Sequence, residues 1–562
     1  MKRMLLVLFV SPLLFATTYY VDNAGTDSNN GATASTPWQH LSKVNGFSFR
    51  PGDSVLLRRG DVWREQLNAP SSGASDNPIN FGAYGAGARP QINASDLVNS
   101  WSSNAEAVAN TWKAQVTTRP SIVVFDGKRG NLVPSAAACT APMDWFWSAN
   151  ILYTYGTVSP SSSYKTIEAG ARNFAILNDT KDWVTYNNLD LRNSNQFGIR
   201  IQNSNHITLS EYSISQAALN GTNVNDGPGQ HSSYITFDRG EVSDSGGIGI
   251  DANCGGCGEI TIDHIAVTNN YVHDNGWNPD NSTGYVSTNG GIKLFGSSGT
   301  HCTIQNNLVV RQADQFGDLS GTGIWLDTWG DGCDISYNEV HDNASYGILV
   351  ENTALSSPTV VLSYNLVYRN NKGISVERGT HNVQVYNNSA YGNKLGGLLN
   401  EGFGNQHDQI NNVFKNNISY GNGINLVAIL GGENAGGGAG NVYDHNSFGT
   451  EAGNLVEWGE SVFKPNYAAL DSAYGRPTNS VLGDPLMVDP SAGNLRLSQN
   501  SPAIGAGLNL GSSFQNGLDP RTVSPFGLLR QNTSGRWDVG AFVFIDSSSA
   551  PLPPAGLQAI VQ

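Results

Sequence analysis

Residues 323–352 read GIWLDTWGDGCDISYNEVHDNASYGILVEN. The phrase Gly-Ile-x-apolar-acid occurs twice, as Gly323-Ile324-Trp325-Leu326-Asp327 and as Gly347-Ile348-Leu349-Val350-Glu351. The same frame returns at Gly373-Ile374, Gly397-Leu398 and Gly423-Ile424, giving steps of 24, 26, 24 and 26 residues. Upstream it fits Gly198-Ile199, Gly247-Ile248 and Gly291-Ile292, with steps of 49, 44 and 32 that imply extra coils or insertions. Asparagines keep register with it at 307, 338, 365, 388, 417 and 446. Short alternating strands between turn residues, repeating about every 25 residues, predict a solenoid whose coils share one core because none can bury its apolar face alone. Asparagines in register suit such stacking, since side-chain amides one above another form hydrogen-bonded ladders.

Composition agrees with a strand-rich chain. Of 562 residues only 14% are charged and 65 are glycine, while 39% are hydrophobic, too many for a disordered coil. The net charge of −15 and the lack of a basic run argue against nucleic acid and anionic membrane surfaces as partners. The start, Met1 to Ala16, has Lys2 and Arg3 before a short apolar run. It reads as a secretory signal peptide too short to be a comfortable membrane span, so a secreted or periplasmic protein, monomeric and free of the membrane after cleavage, is expected.

Five cysteines fit an oxidising compartment. Cys254-Gly-Gly-Cys257 lacks the second pair that a zinc ribbon needs, which favours a loop disulfide or free thiols. Cys139 has no evident partner. Cys302 and Cys333 share a register on successive coils, and either a disulfide or a buried reduced pair suits that position.

The chain resembles the right-handed parallel β-helix proteins of the pectate-lyase-like class over about residues 18–545. The resemblance rests on the repeat, on Tyr19-Tyr20-Val21-Asp22 and Arg50-Pro51-Gly52-Asp53 at the start, and on Asp484-Pro485-Leu486-Met487 and Asp538-Val539-Gly540-Ala541-Phe542 near the end. The expected order is a signal peptide (1–16), N-terminal cap and first coils (17–97), a Trp-rich insertion (98–168), the β-helix core (169–480), a C-terminal coil or cap (481–545) and a flexible tail (546–562). The fold class is all-β. It implies carbohydrate chemistry without fixing it, since one fold hosts many functions.

Chemistry enters at the outward positions of the repeat. Alternation turns the two apolar residues of Gly-Ile-x-Leu-x inward, and the third and fifth outward. Aligned on Gly-Ile, the fifth positions read Gln202, Asp251, Phe295, Asp327, Glu351, Glu377, Glu401 and Val427. Four successive coils therefore present an acid. Rungs about 4.8 Å apart would place the Asp327 and Glu351 carboxyls roughly 5–6 Å apart, near the ~5–5.5 Å of retaining glycosidases, while Asp327 and Glu377, two rungs apart, would suit the ~6.5–9.5 Å of inverting ones. Stacked acids also push each other's pKa values apart, which suits one as nucleophile and the other as proton donor.

Trp325, on the same outer face, and the following Trp329 would offer planes for a sugar. Trp277, in a long loop, would form a cleft wall. Lys293, Asp251 and Glu377 complete the expected substrate-binding set. Asp327 followed one coil later by Glu351 resembles β-helix glycoside hydrolases of the β-xylosidase type, where an Asp is nucleophile and a Glu acid/base. No cofactor is expected on this reading.

Two rivals remain. A polysaccharide lyase would need Ca²⁺ on clustered acids and a Lys or Arg base, and Gly291-Ile292-Lys293-Leu294 resembles the base-bearing strand of some pectate lyases. A non-catalytic sugar-binding solenoid would use the same acids and tryptophans as a groove. Either way the partner is a polysaccharide or oligosaccharide.

Overall fold

The computed structural model describes residues 16–546, apart from 228, 254–261, 279–288, 297–299, 316, 318, 330, 354–359, 403–408, 431–437, 452–454 and 534. The expected leader (1–16, all but its last residue) and the Cys254/Cys257 pair lie outside the described residues. Three 13-stranded sheets, here A, B and C, wind into a right-handed parallel β-helix. One coil shows the plan. Thr300–Gln305 lies in sheet A, Leu308–Val310 in sheet B and Thr322–Asp327 in sheet C, before the chain re-enters sheet A at Asp331–Ser336.

The inward residues form one continuous core. Ile292, Ile324, Ile348 and Ile374 stack in register, as do Leu294, Leu326, Val350 and Val376. Burial of each such side chain contributes about 1.5–3 kcal/mol, and each coil supplies a face only its neighbours can cover. The repeated glycine has a steric cause. A Cβ on Gly323 would sit 2.7 Å from the Gly347 carbonyl oxygen, and one on Gly347 would sit 2.3 Å from Val367 Cγ1.

The A-to-B corner carries the asparagine ladder. Asn307, Asn338, Asn365, Asn388 and Asn417 each donate Nδ2 to the next Oδ1 at 2.9–3.0 Å. A second ladder runs Asn343, Asn370, Asn393 and Asn422 at 2.9–3.1 Å. Each buried amide so finds a partner, which removes the cost of stranding a polar group. Cys302 and Cys333 pair across sheet A and form a disulfide with a Cα–Cα distance of 4.4 Å. Cys139 is free and buried.

An aromatic cluster of Tyr19, Trp38, Phe47 and Phe49 covers the first coil. The helix Tyr467–Tyr474 closes the far end, with Tyr474 against Tyr443 and Trp458. From Met487 onward the chain turns back along the flank, packing Leu495, Leu497 and Val539 on Leu366, Tyr368 and Ile418. Residues between the early coils build two small sheets that include Val123–Phe125, Asp144–Ser148 and Ile151–Tyr155. Among the described residues no helix is long and apolar enough to cross a membrane.

Candidate active site

The register of sheet C decides which acids meet. Asp327 pairs with Glu351, Glu351 with Glu377, and Glu377 with Glu401. The four-acid column is therefore real. Its flanks differ from the Gly-Ile alignment. Ile250, not Ile248, pairs with Ile292, so Asp251 stands opposite Lys293 in the third-position column. Leu426 pairs with Leu398, so Val427 is likewise a third position and Ile429 ends the fifth column. Both slips equal two residues. A slip of two keeps the pleat's inside and outside, so alternation alone cannot detect it. The 49-residue step hides a further rung, Thr222–Asn225.

The first acid pair sits among cations. Lys293 Nζ lies 2.9 Å from Asp327 Oδ2 and 3.3 Å from the Trp325 ring centroid. Thr328 Oγ1 donates to Asp327 Oδ1 at 2.8 Å. One rung on, Trp325 Nε1 donates to Glu351 Oε1 at 3.0 Å, and Arg378 Nε lies 2.9 Å from Glu351 Oε2. Glu351 is 2% exposed, whereas the Asp327 side chain keeps 14%. Burial first, then the neighbouring Asp327, push the Glu351 carboxyl up to about 7, against the opposing pull of Arg378 and Lys293.

The second acid pair is locked. Lys372 Nζ reaches Glu377 Oε1 at 3.2 Å and also bonds Glu401 Oε1. Tyr346 OH donates to Glu377 Oε2 at 3.3 Å and Ser375 Oγ to Oε1 at 2.5 Å. Burial and then Glu377 push Glu401 up to about 8. Burial would lower the Lys372 pKa, but Glu377 and Glu401 outweigh it and the net shift is upward.

Several expected contacts are corrected. Trp325 does point away from the core but is only 3% exposed, covered by Tyr346 and Leu349 of the next coil, so it is no open platform. Trp329 turns inward after Thr328 and is fully buried in the main core. Glu377 is sealed by Lys372, Tyr346 and Ser375, not presented to a ligand. Asp251 is buried under the amides of Asn220, Asn223 and Asn253, and burial pushes it up to about 6. Lys293 joins the acid pair, as an ion partner. Trp277 lies apart from it, against Ile122, Val124 and Ala218.

Lys372, Arg378 and Tyr346 were missed in the sequence. Their signal was available, because each sits within one residue of the repeat, at the position before Gly373, after Glu377 and before Gly347. Among the described residues no group of three or more His, Cys, Asp or Glu is placed to hold a metal ion.

A family model described as "Right handed beta helix region" matches residues 198–390. A lacto-N-biosidase of Bifidobacterium longum subsp. longum is 34% identical over 118 residues, which are 20% of this chain and 7% of that protein's length. The structure of XylC in complex with xylose superposes with a TM-score of 0.54 at 15% identity, covering 72% of this chain and 75% of that one. A structure named glycoside hydrolase superposes at 0.53 with 10% identity, covering 77% and 96%. At such identities the structural likeness shows the fold alone.

Proposed function

We propose that this chain is a carbohydrate-active enzyme that hydrolyses a glycosidic bond with retention, using Asp327 as nucleophile and Glu351 as acid/base. The observation that carries it is the inequality of the two acids. They stand on adjacent rungs in register, at a rung spacing of about 4.8 Å, close to the ~5–5.5 Å of retaining enzymes. Glu351 holds its proton to about 7, while Asp327 faces the Lys293 ammonium and keeps the greater exposure. On this reading Glu351 protonates the leaving oxygen as Asp327 attacks the anomeric carbon. Glu351, now ionised, then takes a proton from the water that releases the sugar. Trp325 and Arg378 fix the Glu351 carboxyl for both steps. The names of the lacto-N-biosidase segment and of the two superposed structures support a saccharide substrate. The expected secretion accords with a substrate outside the cell.

The test is a panel of aryl glycosides, with xylosides, galactosides, N-acetylhexosaminides and a lacto-N-bioside, beside polysaccharides bearing uronates. Aryl release unaffected by a chelator is expected. Products carrying the ultraviolet absorbance of an unsaturated uronate, lost with the chelator, would establish the lyase instead. Binding without turnover on every member would favour the sugar-binding solenoid.

A further inference from the structure

Far from the acid pair, the insertion and the early coils enclose a cavity of about 660 Å³. Its walls include Phe146, Trp147 and Trp277, its charged lining residues are Arg119 and Arg129, and among the described residues no Asp or Glu lines it, the nearest acid to Arg129 being Asp244, outside the lining. Asn195 ties the two halves together. Its Oδ1 accepts from Ser121 N at 2.8 Å and its Nδ2 donates to the Arg119 carbonyl at 3.2 Å.

Arg129 is the unusual member. Its guanidinium carbon lies 3.9 Å from the Trp277 ring centroid, which fixes the plane of the fork. Among the described residues its Nη1 is shielded from water and meets no acceptor. Arg129 pairs with Val124, whose side chain packs with Trp277, so the guanidinium and the indole plane share one face of the small sheet. Shielded donors without acceptors cost free energy, and a guanidinium more than most. A carboxylate is the group that two-pronged guanidinium geometry matches best.

We infer that this cavity binds a carboxylated sugar unit, its carboxylate on Arg129 and its ring face on the Trp147 and Trp277 planes. The choice of a saccharide rests on the function proposed above, whereas the selection of an anion does not. The cavity flanks Leu219, just before the strand Thr222–Asn225, which lies three rungs from Thr322–Asp327 in sheet C. At about 4.8 Å per rung the separation along the axis is roughly 14 Å, the span of a few sugar units. The substrate class that uses both sites is a glycan carrying an acidic residue several units from the cleaved bond.

Calorimetric titration of the full chain with tri-galacturonate, N-acetylneuraminic acid and neutral xylotriose tests this. At least one acidic probe should bind tenfold or more tightly than xylotriose, and which one does so identifies a uronate or a sialate. Arg129→Gln should abolish that preference with the melting temperature and aryl glycosidase rate unchanged, and Trp277→Ala should weaken all binding at the site. Asp327→Asn should leave the preference intact, so loss of glycosidase activity and loss of this site are read separately. Equal affinity for acidic and neutral probes, no binding of either acid, or undiminished binding by Arg129→Gln would overturn the inference.

Discussion

Asp327–Glu351 and Glu377–Glu401 occupy one column of one sheet, each a pair of acids on adjacent rungs. Their surroundings differ. In the first pair each acid has its own cation, Lys293 for Asp327 and Arg378 for Glu351, and Asp327 stays within reach of solvent. In the second pair one ammonium, Lys372, serves both carboxyls, and Tyr346 and Ser375 donate to the two oxygens of Glu377. Stacking acids is thus not enough to make a reactive site. The placement of cations decides whether the repulsion between like charges is spent on holding a proton beside a carboxylate with its own cation or cancelled by one ammonium shared between both acids.

The widest separation between the two pairs should appear in turnover. Asp327→Asn and Glu351→Gln should each lower kcat/KM on the best aryl glycoside by about 10²–10⁴-fold, the range for loss of a positioned acid, base or nucleophile. Glu401→Gln should change it by a few-fold at most. Equal losses in all three would dissolve the distinction between the pairs.

The second pair should answer in stability instead. Lys372→Met strands the buried Glu377 carboxyl and leaves the part-exposed Glu401 beside it, and removing one partner of a buried pair costs up to about 3–5 kcal/mol. A clear fall in melting temperature is expected, with the rate per folded molecule little changed. An unaltered melting temperature would mean that Lys372 does not hold the acids together.

A smaller effect lies in pH. The proton on Glu351 is needed for bond cleavage, so kcat/KM should fall as pH rises through about 7. Asp327→Asn removes a negative neighbour, so any residual rate should show this limb at lower pH. Stability follows the same sign. Carboxyls whose folded values exceed the ordinary 4.5, Glu351 at about 7 and Glu401 at about 8, contribute stability that is complete below 4.5 and lost as pH rises through the folded values. Thermal melts of the native chain and of Glu401→Gln should differ in slope from about pH 4.5 to about pH 8, the native chain losing more stability as pH rises, and should converge in slope above about pH 8.

The coil architecture was legible because its signals are local and repeated. The Gly-Ile frame and the two asparagine ladders each report a contact made on every rung. The acid column was legible for the same reason. The exact rung of Asp251 and Val427 was not, since Gly247-Ile248-Gly249-Ile250 satisfies the frame twice and pleat alternation is blind to a shift of two. Outwardness was read correctly for Trp325, yet exposure was not, because Tyr346 and Leu349 arrive from the next coil to cover it. Trp329 escaped because a residue after a left-handed Thr328 no longer obeys strand alternation. The Arg129 cavity could not be read at all, since its walls come from segments near 119–147, 195 and 277 that only the fold brings together.

The unequal pair is tested most directly by trapping the glycosyl-enzyme. The chain would be incubated with 2-deoxy-2-fluoro aryl glycosides of the sugar it turns over, digested, and mapped by mass spectrometry. A single sugar adduct on the peptide bearing Asp327, absent in Asp327→Asn, is the predicted result. An adduct on Glu377 or Glu401, or turnover with inversion and no adduct at all, would contradict the account.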